Sequence, residues 1–217
     1  MTCVQCYQLS EQALVLSIDG LITQEIRQKI FALAQTANNT NDFFDIVPAN
    51  SSITFYLNDF TRADYWLEQL ITLWEKSEPE AFTPKTHLID TFYGGEYGPD
   101  LNEVSELTGL NQKQVVELHA SKEYLVGFLG FLPGFGYLES LPEQLRLPRK
   151  ASPRAHVPSL SVAIAESLTA IYPSSSPGGW HLIGRCEHPL FEPNADSPSL
   201  LAPGDIVRFI PKEHRQC

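Results

Sequence analysis

Four basic residues lie within nine positions of one segment, in a chain whose formal net charge is −11. The four are Arg146, Arg149, Lys150 and Arg154. No acidic residue occurs between Glu143 and Glu166. Guanidinium groups suit carboxylates and phosphates, because their planar N–H groups can bind two oxygens at once. The segment therefore predicts an anion site, a solvated basic loop, or a loop that docks on an acidic face of a partner.

Two glycine-containing strings could bring the backbone close to a ligand. One is Pro133-Gly134-Phe135, and the other is Gly178-Gly179-Trp180, which follows Tyr172. Because glycine lacks a Cβ, backbone amides there can approach an anion, and a neighbouring aromatic ring can form a pocket wall. The alternative is that these glycines permit barrel curvature and tight turns around core aromatics.

His119 is a weak candidate for a catalytic residue, since the reference pKa of histidine lies near neutrality. A lone histidine at the end of a predicted helix is more often a capping side chain that favours the helix dipole. Side chains that can bind a metal also occur at His181, Cys186 and His188. Their spacing is irregular, and a fourth ligand is not evident. The sequence therefore predicts no metal site.

The composition is that of a folded protein with one or two domains. Of the 217 residues, 43% are hydrophobic and 19% charged. The excess of 26 acidic over 15 basic residues argues against nucleic acid or an anionic membrane as the main partner. No apolar run reaches the roughly 18 residues of a membrane span, and the N-terminus does not have the pattern of a secretion signal. We therefore expect a cytoplasmic protein.

All glycines except Gly20 follow residue 84, and this shift predicts a boundary between domains 1–84 and 85–217. In the first domain, strands are predicted at 6–9, 13–18, 43–47 and 53–57. Helices are predicted to begin after the N-cap Thr23 and at Thr61, where Asp64 would complete an imperfect capping box. A fifth strand near residues 86–92 would close the sheet. This order suggests a ferredoxin-like α+β domain with helices on one sheet face.

The second domain begins with two predicted helices. The first spans 100–108 and ends at Gly109, and the second spans 111–119, with Asn111 and Gln114 as a capping pair. Short strands follow, separated by proline and glycine, and they are predicted at 124–131, 161–165, 169–172, 180–184 and 205–210. Many short strands with such turns are typical of a closed or nearly closed β-barrel.

Several long strings in the second half closely resemble one protein family in order and spacing. They are 93–101 (YGGEYGPDL), 130–138 (GFLPGFGYL), 171–173 (IYP), 176–180 (SPGGW), 183–185 (IGR) and 203–209 (PGDIVRF). The family is that of carboxyltransferase domain, subdomain C and D, proteins. It includes the B subunit of bacterial 5-oxoprolinase, the sporulation kinase inhibitor KipI and the first subunit of allophanate hydrolase.

The resemblance implies a ferredoxin-like N-terminal domain and a cyclophilin-like C-terminal barrel. It also implies a non-autonomous subunit of a hydrolase that opens 5-oxo-L-proline to L-glutamate and consumes ATP at the level of the complex. No cofactor bound by this chain itself is evident. The implied partners are a homologous barrel protein, which is the C subunit of such a complex, and a lactam-utilisation-type protein, which is its A subunit.

On this interpretation the barrel contributes one wall of a substrate- and anion-binding pocket, and the partner completes it. The wall would be formed by Pro133, Gly134, Phe135, Arg149, Arg154, Tyr172, Gly178, Gly179 and Trp180. Two positions depart from the family pattern, because Leu160 and Glu166 stand where glycine is usual. We expect Leu160 to disfavour a positive φ and to hinder close approach of a ligand at its loop.

Two other functions remain open at this point. The first is a KipI-type inhibitor that docks on a sensor histidine kinase, for which the acidic N-terminal domain and Leu160 argue slightly. The second is a first subunit of allophanate hydrolase or urea carboxylase type, which follows from the older name of the family.

Overall fold

The computed structural model of the protein describes residues 3–78 and 84–213. The chain divides into two compact units, Met1–Thr83 and Pro84–Cys217. The predicted boundary at residue 84 adjoins residues 79–83, which lie outside the described part. Within the described ranges, no helix is both long enough and apolar enough to cross a membrane.

The first unit is a four-stranded antiparallel sheet with helices packed on one face. Its elements are β1 (Cys3–Gln8), β2 (Ala13–Asp19), α1 (Gln24–Asn38), β3 (Phe43–Pro48), β4 (Ser52–Leu57) and α2 (Ala63–Lys76). The strands lie in the order β1-β2-β4-β3. Alternate strand residues such as Leu14 and Phe55 share a buried core with Leu33 and Leu70 of the helices.

Polar side chains begin both helices of this unit, but only α1 begins as predicted. The Thr23 hydroxyl accepts a hydrogen bond from the Ile26 amide at 3.3 Å, which confirms Thr23 as the N-cap. The prediction for α2 is wrong, because a 3-10 turn spans Phe60–Arg62 before the helix. Asp59 accepts hydrogen bonds from the amide and the hydroxyl of Thr61, so Asp59 caps this turn in place of the expected capping box.

The fifth strand expected to close this sheet belongs to the second unit. Thr86–Tyr93 forms a strand that lies in the barrel sheet. The prediction is wrong because an apolar pattern indicates a strand but does not identify its pairing partner. The observed element order of the first unit is ββαββα. The ferredoxin-like assignment of this unit therefore stays a prediction.

The second unit contains a closed seven-stranded barrel, which confirms the predicted barrel architecture. Its elements are β5 (Thr86–Tyr93), α3 (Leu101–Thr108), α4 (Gln112–Ala120), β6 (Tyr124–Leu129), β7 (Gly136–Glu139), β8 (Arg154–Val157), β9 (Ser161–Ala165), β10 (Leu168–Ile171), β11 (Ser176–Gly178), β12 (His181–Cys186) and β13 (Ile206–Lys212). Around the barrel the order is β10-β7-β6-β13-β5-β12-β9. Strands β8 and β11 form a separate two-stranded sheet.

The helix boundaries of the second unit follow the predicted caps. Gly109 ends α3 with a φ of 71°, a left-handed conformation that glycine adopts without a steric cost. Asn111 and Gln114 form the predicted capping box, in which each side chain bonds to the backbone of the other residue. These signals are local in sequence, so they are readable without knowledge of the tertiary fold.

Three strands were not predicted: two of them contain proline or glycine, and the third, β8, has only four residues. β7 begins with Gly136, β8 begins with Arg154, and β11 consists of Ser-Pro-Gly. Proline and glycine within a strand usually argue against that assignment, except in short or edge strands such as these. β6 ends at Leu129, earlier than predicted, because Phe131 has a φ of 69° and turns the chain.

Five of the described residues other than glycine have a positive φ, and two of them, Leu160 and Glu166, stand at the positions where the family pattern has glycine. Leu160 has a φ of 65° and Glu166 a φ of 55°. The expectation that Leu160 would avoid a positive φ is wrong. Its backbone is held from both sides, because the Leu160 amide donates to the Tyr172 carbonyl at 2.6 Å and the Leu160 carbonyl accepts from the Cys186 amide at 2.9 Å. The surrounding strands therefore impose the conformation that the side chain disfavours.

This geometry predicts that glycine is better than alanine at position 166. Glu166→Gly and Glu166→Ala both remove the exposed carboxylate, but only glycine relieves the crowding of a Cβ at positive φ. We expect the glycine variant to be more stable by about 1 kcal/mol in urea unfolding of the full chain. Equal stability, or a more stable alanine variant, would contradict the strained conformation.

Candidate functional site

A buried carboxylate, Asp100, lies at the centre of the candidate site and is 3% exposed. It accepts two hydrogen bonds from Arg154, at 2.7 and 2.5 Å, and one from the Leu182 amide at 2.7 Å. Lys150 Nζ lies 3.3 Å from the same carboxylate and also contacts Glu103. A carboxylate removed from water needs such partners, so Asp100 determines where both cations lie.

The surroundings of Asp100 favour its ionised form. Burial alone would raise the pKa of this carboxyl group. Hydrogen bonds from Arg154 and the Leu182 amide, together with the charges of Arg154 and Lys150, outweigh burial and lower the pKa below its usual value. The hydrogen bonds with Asp100 also raise the pKa of Arg154. Both partners are therefore charged near neutral pH.

The glycine-rich string before α3 positions Asp100 against β12. A Cβ added at Gly98 would lie 2.0 Å from the carbonyl oxygen of Ile183, so only glycine allows this approach. The Asp100 amide then donates to the Leu182 carbonyl at 2.9 Å. Asp100 stands at the N-cap of α3, but its side chain makes no capping bond to the described residues and faces Arg154. Sequence reasoning placed Asp100 in the helix and missed this role.

The basic segment and the double-glycine bend lie side by side. Arg154 pairs with Gly178 across the β8–β11 sheet, and the Lys150 amide donates to the Gly179 carbonyl at 2.7 Å. A Cβ added at Gly178 would lie 2.5 Å from the hydroxyl of Tyr172. The bend therefore packs closely on this tyrosine, and the contacts of Asp100 hold the basic segment against the bend.

Phe135, Tyr172 and Trp180 form one aromatic cluster. The Phe135 ring meets Tyr172 edge-on at 5.3 Å and Trp180 edge-on at 6.0 Å. All three side chains are almost completely buried, whereas Tyr137 is a partly exposed member of the same cluster. Its ring lies 4.9 Å from Phe135 and 6.0 Å from Trp180. The cluster forms a rigid wall of which Tyr137 is accessible to a ligand.

The turn at Pro133-Gly134 carries a further aromatic residue to the edge of this cluster. Gly134 has a φ of 80°, and a Cβ added there would lie 2.8 Å from the Leu190 carbonyl oxygen. Before the turn, Phe131 is 58% exposed, and its ring centroid lies 6.2 Å from that of Tyr172. Sequence reasoning missed Phe131 and Tyr137, although both belong to the string 130–138.

Arg149 is the solvent-exposed arginine of the candidate site. Its Nε lies 3.2 Å from the Glu166 carboxylate, with side-chain exposures of 59% and 58%. Ion pairs this exposed contribute about 0–1 kcal/mol, so an incoming anion can displace Glu166 at little cost. Burial raises the pKa of Tyr172 to about 12, and the charge of Arg149 opposes this rise. The guanidinium group therefore acts electrostatically on the aromatic wall.

The two arginines of the predicted site thus differ in what they contact. Arg154 is bound by the internal carboxylate of Asp100, whereas Arg149 forms its ion pair with an exposed residue, Glu166. An anion-binding role fits Arg149 better than Arg154, which positions the segment that carries Arg149. The arrangement can bind a carboxylate or phosphate beside an aromatic surface.

His119 lies in the barrel core, where it is completely buried. Its Nδ1 is 2.8 Å from the Tyr93 hydroxyl, and its Nε2 is 2.9 Å from the Thr169 hydroxyl. Burial lowers the pKa of His119 to about 3, so the ring is neutral at physiological pH. The structure supports neither an acid–base role at a substrate nor a cation at the helix end, because the imidazole is enclosed and uncharged.

His181 and Cys186 each contact a different backbone carbonyl. His181 Nε2 lies 3.0 Å from the Pro148 carbonyl, and the Cys186 thiol donates to the His188 carbonyl at 3.8 Å. Across residues 3–78 and 84–213, no group of three or more His, Cys, Asp or Glu side chains is arranged to hold a metal ion.

Similarities to known proteins extend over nearly the whole chain. Residues 4–201 match the protein family described as carboxyltransferase domain, subdomain C and D. The B subunit of 5-oxoprolinase from Escherichia coli O157:H7 is 45% identical over 216 residues, and the match covers 98% of both chains.

Solved structures share the fold. The crystal structure of TTHA0988 is 34% identical with a TM-score of 0.81, covering 94% of this chain. The chain spans only 40% of the length of TTHA0988. The Kluyveromyces lactis urea carboxylase is 17% identical with a TM-score of 0.75, over 97% of this chain and 22% of its own, and this likeness concerns the fold alone.

The geometry predicts that Asp100→Asn destabilises the protein by about 3 kcal/mol at neutral pH. The amide cannot neutralise Arg154 and Lys150, which are partly buried beside it. The measurement is urea unfolding of the full chain, with hydrogen exchange of β12 amides as a probe of the barrel. Asp90→Asn is the matched control, because Asp90 forms an exposed pair with Lys212. We expect a change below about 0.5 kcal/mol for the control.

The stability difference between wild type and Asp100→Asn should also depend on pH. The pKa of Asp100 is lower in the folded chain than in the unfolded chain, where it is about 3.9. Its contribution is therefore complete above the unfolded pKa and is lost as the pH falls through the folded value. The difference should shrink below about pH 4. A difference that stays constant from neutral pH into this acidic range would contradict the ion-pair account.

Proposed function

Because the chain belongs to the carboxyltransferase domain, subdomain C and D, family, we propose that it is the B subunit of a 5-oxoprolinase. One observation carries this proposal, namely the match to the B subunit of a known 5-oxoprolinase at 45% identity over 98% of both chains. The likeness to urea carboxylase, at 17% identity, does not favour a role in urea or allophanate metabolism.

The proposed reaction opens the lactam of 5-oxo-L-proline to give L-glutamate, coupled to ATP hydrolysis. The lactam is a resonance-stabilised amide that water attacks slowly. Transfer of the γ-phosphoryl group of ATP to the lactam oxygen would make the ring carbon a better electrophile. Water then adds to that carbon, the ring C–N bond breaks and the nitrogen takes up a proton, which leaves a glutamyl acyl phosphate. A second water hydrolyses this acyl phosphate to L-glutamate and phosphate.

The described residues are better suited to binding than to proton transfer in this reaction. The substrate carries a carboxylate and ATP carries phosphates, and Arg149 presents an exposed guanidinium group to either. The lactam ring would lie against Tyr137 and Phe131, at the accessible edge of the aromatic cluster. Glu166 would be displaced from Arg149 when the anion binds.

We propose that partner proteins complete the site. The expected partners are a homologous barrel protein (the C subunit) and a lactam-utilisation-type protein (the A subunit), with ATP bound at the level of the complex. In TTHA0988 the region similar to this chain occupies 40% of the polypeptide, so a related region there is joined to further chain.

Reconstitution tests the proposed function. The purified chain is mixed with the A and C subunits of an active 5-oxoprolinase from which the B subunit has been omitted, and glutamate is measured after addition of ATP and 5-oxo-L-proline. We expect glutamate formation that requires this chain and ATP. If the parent complex is active with its own B subunit but remains inactive with this chain, the proposal fails.

Arg149→Gln should raise the KM for 5-oxo-L-proline or for ATP about tenfold in the same assay, because one charge-assisted hydrogen bond to the anion is lost. Arg208→Gln is the matched control, since Arg208 is similarly exposed and lies 3.9 Å from Glu123. The control should leave both KM values unchanged. Equal effects of the two variants would argue against an anion site at Arg149.

A further inference from the structure

A second cleft, of about 330 Å³, opens on the barrel and shares no lining residue with the site at Arg149. Its lining consists of Phe92, Tyr97, Leu160, Arg185, Cys186 and Glu187. Small-molecule sites are clefts from about 300 Å³ upward that combine apolar walls with a few polar groups. The volume and the lining of this cleft suit a ligand of amino-acid size.

Arg185 supplies the cation of this cleft and is positioned by strand pairing. It lies in β12 directly opposite Phe92 of β5, so the two side chains share a face of the sheet. Its Nε donates to the Ser159 carbonyl at 3.1 Å, which orients the guanidinium plane. The two terminal nitrogens have no hydrogen-bond or ion-pair partner among the residues that the structure describes. They are available to a carboxylate.

The apolar wall of the cleft lies beside this guanidinium. The rings of Phe92 and Tyr97 are 5.3 Å apart with an interplanar angle of 33°, and they form a continuous surface. Leu160, the residue before β9, is held in the left-handed conformation and adds a branched aliphatic group. Such a surface favours an aliphatic or aromatic side chain in the ligand.

The charges of the cleft distinguish between classes of ligand. Arg185 carries a positive charge, and the exposed Glu187, two residues later, carries a negative one. A simple carboxylate satisfies Arg185 but is repelled by Glu187. A zwitterion is complementary to both groups, since its carboxylate and its ammonium group can each meet the opposite charge.

We propose that this cleft binds a free α-amino acid with an apolar side chain. The carboxylate lies on Arg185, the ammonium group lies near Glu187, and the side chain packs on Phe92, Tyr97 and Leu160. Burial raises the pKa of the Cys186 thiol to about 11, so the thiol stays protonated and the cleft binds without covalent chemistry. The proposal does not depend on the 5-oxoprolinase role, because it concerns the isolated chain.

The test is an NMR titration of the full chain with three probes. L-leucine has both charges, 4-methylpentanoate lacks the ammonium group, and L-leucinamide lacks the carboxylate. We expect L-leucine to bind in the millimolar range and more tightly than either analogue, with shifts at amides of residues 92, 160 and 185. Equal affinities for L-leucine and 4-methylpentanoate, or no binding of L-leucine at millimolar concentration, would overturn the proposal.

Variants of Arg185 and Glu187 should change the affinities for L-leucine and 4-methylpentanoate in different ways. Arg185→Gln should weaken L-leucine binding about tenfold or more, because a charge-assisted pair of hydrogen bonds is lost. Glu187→Gln should weaken L-leucine binding about threefold and strengthen 4-methylpentanoate binding by a similar factor, as expected for an exposed charge. Arg185→Lys keeps the charge and should retain part of the affinity, which separates the effect of charge from that of the guanidinium fork.

Arg208→Gln is the control for a general loss of positive charge, and it should bind L-leucine as wild type does. Thermal unfolding of each variant identifies those that remain folded. Wild-type affinity in folded Arg185→Gln would overturn the proposal, as would an effect of Glu187→Gln with the same sign for both ligands.

Discussion

A carboxylate that is withdrawn from water must be neutralised by hydrogen-bonded cations, and Asp100 imposes this requirement on the candidate site. Arg154 and Lys150 meet it from a segment that lies about fifty positions further along the chain. The Leu182 amide completes the coordination, so one carboxylate joins the start of α3, the basic segment and β12. The consequence is that Arg149, in the same segment, is left facing solvent beside the aromatic cluster.

Because of this constraint, the two arginines of the candidate site have different roles. Arg154 neutralises Asp100 and holds the basic segment in place, whereas Arg149 remains available to a ligand. The two arginines were equivalent members of one basic cluster in the sequence. The aromatic wall is rigid because its rings meet edge-on and are buried, while Tyr137 and Phe131 keep exposed edges. A preformed wall beside the exposed guanidinium of Arg149 agrees with the proposed role, in which this chain binds part of a substrate and partner proteins supply the reacting groups.

The sequence predicted those features that depend on neighbouring residues. The caps at Thr23, Gly109 and Asn111 and the barrel architecture are confirmed, because turn and cap signals are local. Features that depend on distant residues were not predictable. The strand Thr86–Tyr93 pairs with β13, more than a hundred residues away, and the ion pair of Asp100 with Arg154 joins residues 54 positions apart. A pattern in one segment contains no information about such pairings.

The most direct test of this account is a double-mutant cycle between Asp100 and Arg154. The free energy of unfolding is measured for wild type, Asp100→Asn, Arg154→Gln and the double variant at neutral pH. The account predicts a coupling energy of about 2 kcal/mol or more, because each single variant leaves a charged partner without its counter-ion. A coupling energy near zero, with additive losses from the two single variants, would contradict the claim that this pair organises the site.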